Sequence, residues 1–207
     1  MYIFGEIIYL RRKKCNPDQE PLNNIKLENQ TNNEYNQVIS RCKELFRKKT
    51  IDYGTAWRIL RLSSITDQIL IKAQRIRSIQ EKGSQKVGDP VVDEFVGIIN
   101  YSLIALLQVS LKEDARMEIP FEELEHQYDH WVMDTRGLLE NKNHDYGEAW
   151  REMRISSITD IILMKLLRVK QIEDNEGYTL VSEGIEENYK DMINYAVFCL
   201  IKLNYHA

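Results

Sequence analysis

The sequence predicts an all-α protein made of two tandem four-helix repeats that pack with pseudo-twofold symmetry. The first observation is an internal duplication, because residues 145–168 match residues 52–75 at 16 of 24 positions. The second is the helical spacing of apolar residues around this segment, with no convincing strand pattern. The third is the low content of helix breakers, four prolines and nine glycines in 207 residues. Two related units in one chain are expected to pack as a fused homodimer would.

Composition argues against membrane and nucleic acid as partners. The net charge is −4, so no broad basic field attracts nucleic acid or anionic lipid. No uninterrupted apolar run reaches the ~20 residues that span a bilayer. The three cysteines are odd in number and far apart in the chain, which favours a reducing compartment over a disulfide framework. We therefore expect a cytoplasmic protein that is either a monomeric pseudo-dimer or a homodimer.

The duplication divides the chain into an arm, two repeats and a linker. Residues 1–33 are rich in Asn, Gln and Pro and have no counterpart in the second half, so we expect a mobile arm there. The first repeat is assigned to residues 34–112, the linker to residues 113–126 and the second repeat to residues 127–207.

Each repeat is predicted to begin with an amphipathic helix, at about residues 34–49 and 127–142. A glycine, Gly54 or Gly147, follows an Asp-Tyr pair and is expected to break this helix. A short helix comes next, and its tryptophan is expected to fill the core.

The third helix of each repeat starts at a Ser-Ser-Ile-Thr-Asp segment. Ser64 with Asp67, and Ser157 with Asp160, have the spacing of a capping box, in which side chains bind the free N–H groups of a helix start. The second copy of this helix is apolar over most of its circumference. We therefore expect it to lie at the centre of the core.

The third helix also carries two cations three residues apart, Lys72 with Arg75 and Lys165 with Arg168. Side chains at this spacing point to one side of a helix. Such pairs are suited to bind phosphate. They are equally suited to neutralise acidic side chains in a structural ion-pair network, and the sequence leaves both alternatives open. The same alternatives apply to four arginines near the short helices: Arg58, Arg61, Arg151 and Arg154.

The fourth helix of the second repeat, at about residues 184–204, has a polar stripe of Glu183, Glu187, Asp191 and Asn194. At 100° per residue these side chains fall within about 80° of arc. Like charges one turn apart repel each other, and a cation or facing Lys/Arg side chains would remove that cost. Carboxylates on one helix face suit Mg²⁺, and a solvated acidic face is the alternative.

The first repeat has an incomplete version of this stripe, on a helix predicted at about residues 91–110. Asp89, Asp93 and Asn100 are kept, but Gly97 stands where the second repeat has its third acid. We expect the first repeat to hold a weaker site or none. The alternative for Asp89 is a helix N-cap, with proline at the next position.

The Asp-Tyr pairs before the glycines are further candidates. Asp52 and Asp145 could bind substrate or metal, and Tyr53 and Tyr146 could stack on a base. The alternative is that each aspartate caps the short helix.

The combined pattern resembles the first of the nucleotide-modification-associated domain families. It consists of Lys-x-x-Asp-Tyr-Gly-x-Ala-Trp, then Asp, Lys and Arg on the next helix, then Asp-x-x-Asn-Tyr on the last helix. The resemblance covers about residues 34–110 and 127–204. It implies a link with nucleotide or modified-base metabolism.

The acidic last helix is also similar to that of the all-α NTP pyrophosphohydrolases, the MazG and dimeric dUTPase group. That resemblance implies Mg²⁺ held by Glu183, Glu187 and Asp191, with Glu187 and Asp191 catalytic. The chain departs from that group in lacking a separate Glu-x-x-Glu helix. The candidates for substrate binding are Asp52, Tyr53, Lys72, Arg75, Asn100, Asp145, Tyr146, Lys165, Arg168 and Asn194.

Two functions follow from these residues. The first is a Mg²⁺-dependent nucleotide-binding protein that cleaves nucleoside triphosphates, with the better site in the second repeat. The second is a non-catalytic module that binds a nucleotide or a protein, in which Asp, Lys and Arg form a structural polar network.

Overall fold

The structure is a computed structural model. It describes the backbone of residues 20–86, 88–146, 148–179 and 183–205, and the side chains in these ranges from residue 30 onward, except those of residues 141, 142, 144 and 146. The first 19 residues of the predicted arm lie outside the described part.

The described residues form six α-helices and two short 3₁₀ helices, and they contain no strand. The α-helices are α1 (Glu20–Tyr53), α2 (Leu62–Lys82), α3 (Val91–Ser110), α4 (Phe121–Tyr146), α5 (Ile155–Asp174) and α6 (Ile185–Lys202). The 3₁₀ helices, Ala56–Ile59 and Ala149–Glu152, follow α1 and α4. The predicted order of four helical elements in each repeat is therefore confirmed.

The packing has the predicted pseudo-twofold symmetry. In each repeat the last two helices pack together, α2 on α3 and α5 on α6. Across the repeats, α3 packs on α6 and α2 on α5, while α1 contacts α6 and α4 contacts α3. This contact pattern is unchanged when the two repeats are exchanged, as expected of a fused homodimer.

The centre of the molecule is formed by α3 and α6, whose side chains are mostly buried. By length and composition, α3 is apolar enough to cross a membrane. Here it supplies core residues such as Phe95, Ile98 and Leu103, which are fully buried. Each such side chain contributes about 1.5–3 kcal/mol when it is removed from water.

Both first helices begin earlier than predicted. The first starts at Glu20 instead of residue 34, and Pro21 follows at a position that tolerates proline. The first helix of the second repeat, α4, starts at Phe121 instead of residue 127, directly after Pro120. The polar residues of these segments predict an arm and a linker, but in the structure the segments are helical and some of their side chains make tertiary contacts. Thr31, for example, is buried.

The predicted capping boxes are wrong. The N-caps of α2 and α5 are Arg61 and Arg154, and neither helix start has a side-chain cap. Ser64 lies inside the first turn of α2, where it cannot act as the N-cap. Asp67 instead forms an ion pair with Lys170 of the other repeat.

Candidate functional site

A buried ion pair joins α5 to α6 in the second repeat. Lys165 Nζ lies 2.6 Å from Asp191 Oδ2, and the two side chains are only 10% and 7% exposed. A buried charge of either sign is costly unless it is paired. The two predicted site residues therefore neutralise each other within the core.

The first repeat holds the equivalent lysine with a different acid. Lys72 Nζ lies 3.3 Å from Glu94 Oε2, and Arg75 forms an ion pair with the other oxygen of the same carboxylate. Arg75 also donates a hydrogen bond to the carbonyl of Asp89 at 3.0 Å. The Glu94 carboxylate, itself buried, thus lies between the two cations that the sequence singled out.

Gly97 explains why the acid has moved. A Cβ atom at this position would lie 2.6 Å from Cδ and Cε of Lys72, so the lysine side chain occupies the space above the glycine. In the second repeat Asp191 stands at the position of Gly97, and Asn188 stands at that of Glu94. Each repeat therefore has one acid on its last helix that pairs with the lysine of the preceding helix. The positions of these two acids differ by one helical turn between the repeats.

The exchange leaves the second repeat with unused polar groups. Asn188 donates a hydrogen bond from Nδ2 to the carbonyl of Gly184 at 2.8 Å, but its buried Oδ1 has no partner in the described part of the chain. Arg168, the equivalent of Arg75, is partly exposed and makes no hydrogen bond or ion pair with a described residue. Arg75 binds a protein carboxylate at this position, whereas Arg168 does not.

Of the other two acids of the predicted metal site, Glu187 is bound to a lysine and Glu183 lies outside α6. Lys190, buried beside the ring of Trp131, binds Glu187 Oε1 at 2.8 Å and forms an ion pair with Asp134. Burial alone would lower the pKa of Lys190, but its hydrogen bonds to Asp134 and Glu187 raise that pKa above the usual value. Glu183 is exposed and precedes α6.

This donor set does not fit Mg²⁺. The two predicted metal ligands on α6, Glu187 and Asp191, are each neutralised by a lysine, which removes the repulsion that suggested a metal in the sequence. No three His, Cys, Asp or Glu side chains come together as a metal-binding group among the described residues. We therefore derive no catalytic step through a metal from Glu187 and Asp191.

The two predicted asparagines are structural links between the repeats. Asn194 accepts a hydrogen bond from the hydroxyl of Tyr35 at 3.2 Å and donates to the carbonyl of Thr135 at 3.1 Å. Asn100 accepts from the hydroxyl of Tyr128 at 3.3 Å and donates to a carbonyl of α1 at 3.1 Å. All these contacts are buried, so a binding role for either amide stays a prediction without support here.

The Asp-Tyr pairs are not brought to the buried ion pairs. Asp52 is exposed at the end of α1, and Tyr53 is 66% exposed. Asp145 is exposed at the equivalent end of α4, and the side chain of Tyr146 lies outside the described part. Gly54 is required for the turn, since its φ is +63° and a Cβ would collide with the carboxylate of Glu118.

Sequence reasoning placed no site at the open cleft of the second repeat. This cleft has a volume of about 400 Å³ and is lined by Gln30, Glu34, Arg151, Ile201, Lys202 and Asn204. Arg151 donates hydrogen bonds of 2.6 Å to Glu34, Thr31 and Glu148. The arginine was a candidate in the sequence, but the cleft could not be foreseen because α1 of the first repeat forms one wall.

Comparison with known proteins gives one match. A family model described as nucleotide modification associated domain 1 matches residues 49–109 and 142–203, once in each repeat. No curated protein matches the chain, and no solved structure matches it.

Proposed function

Because the chain belongs to the nucleotide modification associated domain 1 family, we propose that it is a nucleotide-binding module whose second repeat receives a ligand phosphate at Arg168. The buried lysine–acid pairs are the structural part of this module. The first repeat carries no ligand site, since its own carboxylate fills the equivalent position.

The observation that supports this proposal is the difference between Arg75 and Arg168. In the first repeat, Glu94 supplies an anion to both Lys72 and Arg75. In the second repeat, Asn188 stands at the position of that acid, and Arg168 has no anion among the described residues. Phosphate, like carboxylate, matches a guanidinium through two parallel N–H···O bonds.

The proposal is non-catalytic because the carboxylates that would have to hold a metal are bound to lysines. Lys165 holds Asp191 and Lys190 holds Glu187. Freeing Asp191 for Mg²⁺ would take the acid away from the buried Lys165, which is energetically costly, and freeing Glu187 would remove one of the two acids paired with the buried Lys190. The geometry therefore supports binding better than hydrolysis.

The first prediction compares the two arginines. We expect Arg168→Ala to weaken nucleotide binding about tenfold to a hundredfold, because a charge-assisted hydrogen bond contributes about 1.5–3 kcal/mol. The matched variant Arg75→Ala should leave the affinity unchanged and lower only the stability. The measurement is isothermal titration calorimetry with a panel of common NTPs, dNTPs and their monophosphates.

Two outcomes would contradict the proposal. One is equal affinity of the Arg168→Ala variant and the parent protein for every nucleotide that binds. The other is turnover in the same panel, with monophosphate formed in Mg²⁺ and lost both in EDTA and in Asp191→Asn. That second result would establish a metal-dependent hydrolase instead.

A further inference from the structure

The two repeats differ in what lies beside the 3₁₀ helix that follows the Asp-Tyr-Gly segment. In the first repeat, the chain between α3 and α4 begins with a turn and then contacts this helix. We call residues 111–120 the linker strap. The equivalent place in the second repeat is the open cleft, because Lys202 and Asn204 correspond to Gln108 and Ser110 of the first repeat.

The linker strap is held mainly through its backbone. Arg58 donates hydrogen bonds to the carbonyls of Leu111, Asp114 and Arg116, at 3.2 Å for the first and 3.3 Å for the last. Its guanidinium also binds Gln108 of α3. Arg58 therefore holds this segment through hydrogen bonds to its main-chain carbonyl oxygens.

A second anchor of the linker strap is Thr55. Its hydroxyl donates to the carbonyl of Met117 at 2.6 Å and accepts from the N–H of Ile119 at 3.1 Å. Its own N–H donates to the carboxylate of Glu118 at 3.1 Å. The side chain of Ile119 is buried, so the strap supplies an apolar anchor next to an acid.

The second repeat keeps the arginine of this arrangement, whereas the threonine is replaced by a glutamate. Arg151 stands at the position of Arg58 and lines the cleft. Glu148 stands at the position of Thr55, and its buried Oε1 is an acceptor without a partner among the described residues. Glu148 has a φ of +57°, in the left-handed region that is unfavourable for a residue other than glycine. A strained backbone and an unused buried acceptor are features that accumulate at ligand sites.

The geometry points to a docking groove in the second repeat for a peptide segment of a partner protein. The peptide would resemble Met117–Glu118–Ile119, with an apolar anchor beside an acidic residue. Its carbonyls would accept hydrogen bonds from Nη1 of Arg151, because Nε and Nη2 already donate to Glu148, Thr31 and Glu34. Lys202 replaces the neutral Gln108 of the first repeat, so a positive charge is available at the cleft for the acidic side chain.

The test uses the intact protein and a fluorescent synthetic peptide with the sequence of residues 111–121. The strap of the first repeat is part of the chain, so its high effective concentration excludes the free peptide from that repeat. We expect saturable binding in fluorescence anisotropy. Gln30→Trp, which fills the cleft from an exposed position, and Lys202→Glu should each weaken binding at least tenfold.

The matched control is Glu123→Trp, at the position on α4 equivalent to Gln30, where Glu123 pairs with Arg116 of the linker strap. This variant should bind the peptide as tightly as the parent protein. A peptide with Glu118 and Ile119 both replaced by lysine should not bind. Absence of binding at millimolar peptide, or equal binding by the Gln30→Trp and Lys202→Glu variants, would overturn the proposal. Loss of nucleotide affinity in Gln30→Trp would also overturn it, by assigning the cleft to the nucleotide.

Discussion

At the scale of single residues, Glu173 of α5 shows how one side chain departs from the symmetry. Its Oε1 accepts a hydrogen bond from Thr66 at 2.7 Å, and the Thr66 hydroxyl lies 2.8 Å from that of Tyr189. The contact related to this one by the pseudo-twofold symmetry joins two neutral groups, because Gln80 donates a hydrogen bond to Thr159 at 3.1 Å. The second repeat thus places a titratable carboxyl where the first repeat has an amide.

Burial raises the pKa of Glu173 above its usual value, and the hydrogen bond from Thr66 opposes this effect only in part. A carboxyl with a raised pKa in the folded state favours folding most below its unfolded-state pKa. This contribution is lost as the pH rises through the folded-state pKa. The ionised Glu173 therefore lowers the stability of the protein at neutral pH.

We predict that Glu173→Gln raises the melting temperature at pH 7 but not at pH 4. The amide cannot ionise, and it can donate to Thr66 as Gln80 donates to Thr159. The measurement is thermal unfolding followed by circular dichroism across this pH range. The control is Glu176→Gln, at an exposed position beyond α5, which should change neither value. A higher melting temperature at pH 4 than for the parent would contradict the argument.

At the scale of elements, the last helix of each repeat is fixed to the preceding helix by a lysine–acid ion pair, which is fully buried only in the second repeat. Lys165 with Asp191 joins α5 to α6, and Lys72 with Glu94 joins α2 to α3. The sequence offered an ion-pair network as one of two alternatives for these lysines, the other being phosphate binding. It could not predict that Glu94 takes over from the missing acid at Gly97, since that depends on which turn of α3 faces α2.

The Lys165–Asp191 pair gives a prediction at this scale. Removing one member alone, in Lys165→Met or Asp191→Leu, should cost about 3–5 kcal/mol because an unpaired charge stays buried. The double variant should recover most of that loss, since two apolar side chains need no partner. Urea unfolding of the four proteins in a double-mutant cycle measures this coupling.

Asp160→Ala is the control for that cycle. Asp160 is 61% exposed and lies 3.7 Å from Arg77, and surface pairs of this kind contribute less than about 1 kcal/mol. If both single variants at Lys165 and Asp191 were as stable as this control, the pair would not have the structural role assigned to it.

At the scale of the whole molecule, the internal duplication is the main reason that the fold could be predicted from the sequence. The duplication gave the all-α class, the number of elements and their pseudo-twofold packing, because equivalent segments fold alike. It could not give the reciprocal contacts between repeats, such as Tyr35 with Asn194 or Asp67 with Lys170. Those partners are far apart in the chain and are set by tertiary packing. The Lys165–Asp191 ion pair could not be foreseen for the same reason, and the predicted metal site stays a prediction.

The difference between the repeats is also the basis of the proposed function. In the first repeat, the Glu94 carboxylate occupies Arg75. In the second repeat, Asn188 stands at the position of Glu94, and in the proposed function Arg168 binds the phosphate of a ligand instead. One molecule would therefore bind one nucleotide.

The most direct measurement is a calorimetric titration of the Asn188→Glu variant with the nucleotide that the parent protein binds. This change gives the second repeat the carboxylate that the first repeat already has. We expect the variant to remain folded and to lose nucleotide binding, because the introduced carboxylate would occupy Arg168 as Glu94 occupies Arg75. Binding of the same nucleotide with unchanged affinity and stoichiometry would contradict the account.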